Sequence, residues 1–221
     1  MNNMKLNLTH LEFGSFLTYC PRGEEEACQN SREAMKYLKM DSNVLAPPIP
    51  MSELIAKTMA QRQSKLPFES FFKPETILVP CPSSSLMQPG SLWVPQRIAL
   101  ALIKVGLGGV CSPCLIRNTT VRKAATSPSN LRPTAYDHYD SMIVQSSLTD
   151  PKEIVLIDDI VTRGATFIGA ANRLVDLYPD ASIKAFAAMR TISDPTDFKK
   201  LIDPCLGAID LVPDDGTFRI P

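Results

Sequence analysis

Two adjacent carboxylates, Asp158 and Asp159, close the apolar run Ile154-Val155-Leu156-Ile157, and the turn Thr162-Arg163-Gly164-Ala165-Thr166 follows two residues later. A strand buried on both faces reads as unbroken Val, Ile and Leu. Residues 154–157 are therefore expected to form a central parallel strand, and open α/β sheets bind ligands at the carboxyl ends of such strands. Residues 167–177 carry apolar positions at helical spacing. The turn then presents backbone N–H groups and hydroxyls at a helix start, an arrangement that attracts anions. Paired acids beside an anion cradle suit a ligand that carries both a phosphate and vicinal hydroxyls, such as a sugar phosphate. A generic strand–turn–helix is the competing reading.

The elements needed to hold these groups can be read around them. From residue 76 onward the pattern alternates strand and helix, which argues for an α/β fold with an open, mostly parallel sheet flanked by helices. Strands are expected over residues 76–79, 114–117, 141–144, 182–189 and 208–212. Helices are expected over residues 92–105 and 165–177, with a short one from 193 to 202. Residues 118–137 lack clean periodicity and are rich in Thr, Ser, Pro and basic residues, which predicts a long loop or irregular hairpin. Residues 1–73 differ in character. Acidic Glu24, Glu25 and Glu26 ahead of basic Arg32, Lys36 and Lys39 predict a helix, and a second follows the Pro47-Pro48 break. The division is a helical N-terminal extension, 1–73, a candidate hood or lid over a ligand, before an α/β core, 74–221.

Totals exclude several classes. The chain has 221 residues, enough for one domain with a full core, and 23 basic residues balance 23 acidic ones. Zero net charge does not favour direct nucleic-acid binding. No apolar run is long enough to span a bilayer and no signal-peptide pattern opens the chain, so a cytoplasmic protein without membrane partners is expected. The six cysteines are too scattered for a disulfide framework. Cys111-Ser-Pro-Cys114 is a lone C-x-x-C, read first as reduced thiols and otherwise as a metal or redox pair. A P-loop is absent, and Gly106-Leu-Gly108-Gly109 has the wrong spacing and context for a dinucleotide fingerprint.

The string from Val155 to Thr166 resembles the phosphoribosyl-pyrophosphate (PRPP) signature of type I phosphoribosyltransferases, strongly over about a dozen residues and more loosely from Thr76 to Met189. Within that family the layout is nearest to the competence-associated ComF-like branch, without its zinc module. The resemblance implies that Asp158 and Asp159 hold the ribose hydroxyls. It gives the 5′-phosphate to Thr162, Arg163, Gly164, Ala165 and Thr166, with Arg163 standing where the family often has Thr or Ser. It gives the pyrophosphate to the loop Pro82-Ser83-Ser84-Ser85, and to Arg122, Lys123 or Arg132 when the basic loop closes. Exposed basic residues can equally be only solvated.

By the same resemblance, Mg²⁺ would be bound mainly through PRPP, with no dedicated protein metal site. The acceptor would be nitrogenous but is not legible, and a homodimer stays open. His138 has a general-base reading beside a structural one, and Trp93 reads as packing. A phosphoribosyltransferase is weighed against a PRPP- or nucleotide-binding sensor or subunit without turnover.

Overall fold

The computed structural model describes residues 6–122, 132–145, 148–213 and 216–221. In chain order the elements are β1 (His10–Tyr19), α1 (Glu26–Met40), β2 (Asn43–Val44), β3 (Ile49–Pro50), α2 (Met51–Gln61), β4 (Ile77–Pro80), α3 (Val94–Lys104), β5 (Val110–Cys111), β6 (Leu115–Arg117), α4 (Ala135–Asp140), β7 (Met142–Val144), β8 (Glu153–Val161), α5 (Ala165–Leu177), β9 (Ser182–Thr191), β10 (Ile202–Val212) and β11 (Gly216–Ile220). Seven strands form the main sheet in the order β11-β10-β1-β9-β8-β4-β5. From β1 to β5 the neighbours are parallel, and the β10–β11 hairpin packs antiparallel against β1. The protein is α/β, with a mixed, mostly parallel sheet flanked by helices.

Both faces are covered, as the apolar run 154–157 of β8 requires. Val155 and Ile157 pack with Leu38 of α1, Met59 of α2 and Ile98 of α3, while Ile154 and Leu156 pack with Phe167 and Ile168 of α5 and Ala135 of α4. Phe186 on β9 meets Phe68 and Phe72 at ring-centroid distances of 5.4 and 5.2 Å. Such pairs add about 0.5–1.5 kcal/mol each beyond the area they bury.

Several expectations need correction. The N-terminal segment is not a purely helical extension: β1 lies inside the sheet, between β9 and β10. Its sequence His10-Leu-Glu-Phe-Gly-Ser-Phe-Leu-Thr-Tyr19 mixes polar and apolar residues and carries no strand alternation, yet residues 13–18 are all buried. The strand before the acids does not stop at residue 157 but runs to Val161, held by β9 through Val161↔Arg190. Residues 115–117 and 142–144 are not core strands; they pair with each other as a separate antiparallel ribbon. The expected helix from residue 193 is a single 3₁₀ turn, Pro195–Asp197, and β10 begins at Ile202. The long loop ends early, at a capping box in which the Thr134 and Asp137 side chains each bond the other's backbone N–H.

Candidate functional site

The site is built on the carboxyl ends of β4 and β8, where the register Pro80↔Ile157 sets the Ser83–85 loop beside the paired acids. Alternation along β8 sends neighbouring side chains to opposite faces. Asp159 is buried on the α1 side, and its carboxylate accepts a hydrogen bond from Lys39 Nζ at 2.7 Å. Lys39 lies in the last turn of α1, so the N-terminal segment reaches the acids directly. Asp158 faces the other way, toward the Cys81 thiol and the Arg117 guanidinium, and its Oδ1 accepts the Asp159 N–H at 2.8 Å. Burial and the adjacent Asp159 carboxylate raise Asp158 to about 8, against the opposing pull of Lys39.

The turn after β8 has the geometry its sequence suggests. Gly164, at φ +92°, is the residue before α5, and the first intrahelical bond runs from Ile168 N–H to Gly164 O. The N–H groups of Ala165, Thr166 and Phe167 therefore have no partner within the helix, and no side chain caps the turn. The helix dipole adds to their pull on an anion. The turn is fastened from behind. The Thr162 and Thr191 hydroxyls lie 3.0 Å apart, and Arg219 of β11 donates from Nε to Thr162 O at 2.9 Å and from Nη2 to Thr191 O at 2.6 Å. Arg163 is exposed.

Ser83 and Ser85 are exposed and Ser84 is half-buried. The loop is pinned through its backbone: Ser83 O accepts from Arg117 Nε at 2.5 Å, and Ser84 O accepts the Val121 N–H at 3.0 Å. Trp93 donates its indole N–H to Cys81 O at 2.8 Å, which makes it a strut for this loop. Arg122 is exposed at the loop's flank, and Lys123 lies outside the described residues. Among the described residues no cluster of His, Cys, Asp and Glu is arranged to hold a metal ion, and no helix is long and apolar enough to cross a membrane.

His138 does not fit a general base. It is buried, and desolvation and then the nearby Arg117 charge lower it to about 4. Its Nδ1 lies 3.4 Å from Arg117 Nη2 and its Nε2 lies 3.4 Å from Thr166 Oγ1. Lys39, Arg117 and Arg219 are the residues that sequence reasoning missed. Lys39 is one of three basic residues of α1 and Arg219 one cation in a short edge strand, so no local signal marks either; Arg117, a cation closing a three-residue strand of otherwise apolar residues, carries the clearest signal.

No protein-family model matches the chain, and no curated protein matches it. Among solved structures, it is similar to a hypoxanthine phosphoribosyltransferase from Staphylococcus aureus at 12% identity and a TM-score of 0.30, covering 69% of this chain and 68% of that one. The hypoxanthine phosphoribosyl transferase of Trypanosoma cruzi matches at 12% identity and 0.31, over 72% and 76%. A glutamic acid mutant at an invariant aspartic acid of HPRTs matches at 14% and 0.31, over 81% and 93%. Likeness at this level says nothing about activity, which has to be argued from the site itself.

Proposed function

We propose that this protein binds Mg-PRPP and transfers its phosphoribosyl group to a nitrogenous acceptor, releasing pyrophosphate. The observation that carries the reading is the juxtaposition of three features at one sheet edge. A helix start has unpartnered N–H groups at residues 165–167, two acids occupy the strand that feeds it, and a small-residue loop lies on the neighbouring strand. A 5′-phosphate would take the helix start, the ribose hydroxyls the acids, and the diphosphate the Ser83–85 loop.

Displacement at the anomeric carbon develops positive charge on the ring and negative charge on the leaving group. The protein's part is to position the partners and stabilise charge. Asp159, paired with Lys39, would face the ring's developing charge, and Asp158 would meet a ribose hydroxyl. Two carboxylates, one of them engaged by Lys39, offer few ligands to a resident cation. They suit Mg²⁺ that keeps its waters and arrives on substrate phosphates, where it would neutralise the leaving group. Arg122 and Lys123 belong to the same proposal as cations that meet the diphosphate.

The Lys39–Asp159 pair favours a second reading, a PRPP-binding protein without turnover, because ribose must compete with an ammonium already seated on the acid. One experiment addresses both. Mg-PRPP should raise the melting temperature of the wild type and leave Asp158→Ala/Asp159→Ala unaffected, that variant having lost two charge-assisted contacts worth together about 3 kcal/mol or more, roughly a hundredfold in affinity. Pyrophosphate release with a panel of nitrogenous acceptors supports the transferase; a thermal shift without release supports the sensor. Absence of any shift in the wild type ends both.

A further inference from the structure

His138 sits where two supports of the proposed site meet, and the chemistry of its neighbours fixes its protons. A guanidinium has five N–H donors and no acceptor, so the Arg117 Nη2 contact at 3.4 Å requires His138 Nδ1 to be the acceptor. Arg117 cannot turn away. Its Nε is bound to Ser83 O, its Nη1 to Ser141 Oγ, and it is 6% exposed. A neutral imidazole that accepts at Nδ1 carries its proton on Nε2, and Nε2 faces Thr166 Oγ1 at 3.4 Å. The hydroxyl must therefore accept from the ring. Its own proton is left to point elsewhere, and Thr166 stands in the first turn of α5, where the uncapped N–H groups are.

The packing holds the ring in place. A Cβ at Gly169, one turn along α5 from Thr166, would lie 2.7 Å from Ala135 O, from the His138 Cβ and from Tyr139 N. Only glycine lets α4 come this close to α5. Tyr139 then donates its hydroxyl to Asp176 at 2.6 Å, and Arg173 Nε donates to Tyr139 O at 2.9 Å. Ser141 Oγ donates to Asp137 O at 2.7 Å, and the charged groups that bear on the ring are Arg117 and Asp137. Burial and Arg117 keep the imidazole neutral down to about pH 4.

We infer that His138 is a positioning residue: oriented by Arg117 as the Nε2–H tautomer, it donates to Thr166 Oγ1 and so turns the Thr166 hydroxyl into a donor for an oxyanion at the start of α5. The inference rests on the PRPP reading for the identity of that oxyanion. It also links the two phosphate-binding segments, because the same guanidinium that sets His138 holds the Ser83 carbonyl.

The test has an arm that needs no substrate. The chain has two histidines, and the other, His10, is exposed, so the ¹⁵N shifts of the free protein separate them. The Nε2–H form is expected for His138, and the Nδ1–H form overturns the inference whatever PRPP does. In binding measurements with inorganic phosphate and with Mg-PRPP, His138→Leu should weaken affinity about tenfold, the loss of one properly directed hydrogen bond. His138→Gln presents an acceptor toward Arg117 and a donor toward Thr166, and should restore affinity to within about threefold, since one misplaced bond is worth about a factor of ten. In a Thr166→Ala background, His138→Leu should cost nothing further.

Unchanged affinity in His138→Leu, an equal loss with and without the Thr166 hydroxyl, or failure of Gln to restore binding each overturns the proposal. Should the leucine variant not fold, the tautomer and the glutamine variant still decide. A wild type that binds phosphate but not Mg-PRPP removes the phosphoribosyl reading alone and leaves the orientation of Thr166 standing.

Discussion

Gly164 and the residue facing it show how tightly single positions constrain the turn. The left-handed backbone at φ +92° costs an L-residue about 1–2 kcal/mol, and an added Cβ would lie 2.6 Å from the Ile209 side chain. Gly164→Ala should therefore destabilise the protein by about 2 kcal/mol or more in urea unfolding and weaken phosphate binding. Trimming the neighbour with Ile209→Ala should recover only the steric part. If Gly164→Ala is as stable as the wild type, the turn does not adopt this conformation.

His138 supplies a pH signature at the same scale. Lowered from 6.5 to about 4 by burial and Arg117, it stays neutral while the unfolded chain takes up that proton between about pH 6.5 and 4. The unfolded state binds more protons in that window, so stability falls as pH drops, by up to roughly 3 kcal/mol. Asp158 acts in the opposite sense: raised from 3.8 to about 8, it is protonated first in the folded state, and its contribution is lost as pH rises through that range. Comparison with His138→Gln removes the Asp158 contribution. The stability of the wild type relative to that variant should shrink from pH 7 to pH 4, and a constant difference would show that the ring is not held neutral.

At the scale of elements, β11 acts on the turn through one side chain. Arg219 is held below its ordinary value, at about 10, by burial and then by Arg190; it remains a cation at neutral pH and bonds the Thr162 and Thr191 carbonyls. Hydrogen bonds from a charged donor contribute about 1.5–3 kcal/mol each, although its Nη1 is buried without a partner, which offsets part of the gain. Arg219→Ala should cost about 2 kcal/mol and speed amide exchange at residues 162–167 more than in β4 or β9. Uniform acceleration across the sheet would mean that β11 steadies the whole edge and not the turn in particular. The sequence predicts no strand beyond residue 212 because Phe218 and Ile220 are exposed on an edge strand, where alternation has little to face.

For the whole molecule, the placement of β1 decides how the chain unfolds. It pairs with β9 on one side and β10 on the other, so the N-terminal segment cannot leave without exposing Phe13 and Phe16 and splitting the sheet. Thermal unfolding followed by Trp93 fluorescence and by far-ultraviolet circular dichroism should give coincident single transitions. Two separated transitions would restore a boundary near residue 73. The same topology brings Lys39 to Asp159, 120 residues away in sequence.

What could be read without coordinates was local and periodic. Residues 165–177 match α5 end for end because an amphipathic stripe and a preceding glycine state a helix and its start in neighbouring residues. The acids, the serine loop and the turn were legible for the same reason, each being a short string with its own chemistry. Two adjacent carboxylates look like the end of a strand, so the sequence predicts β8 only to residue 157; the ladder to β9 continues beneath them, and Lys39 pairs with Asp159. Lys39, Arg117, Arg219 and the tautomer of His138 belonged to tertiary structure alone. Each takes its role from the group it bonds, and each of these partners lies at least 20 residues away along the chain.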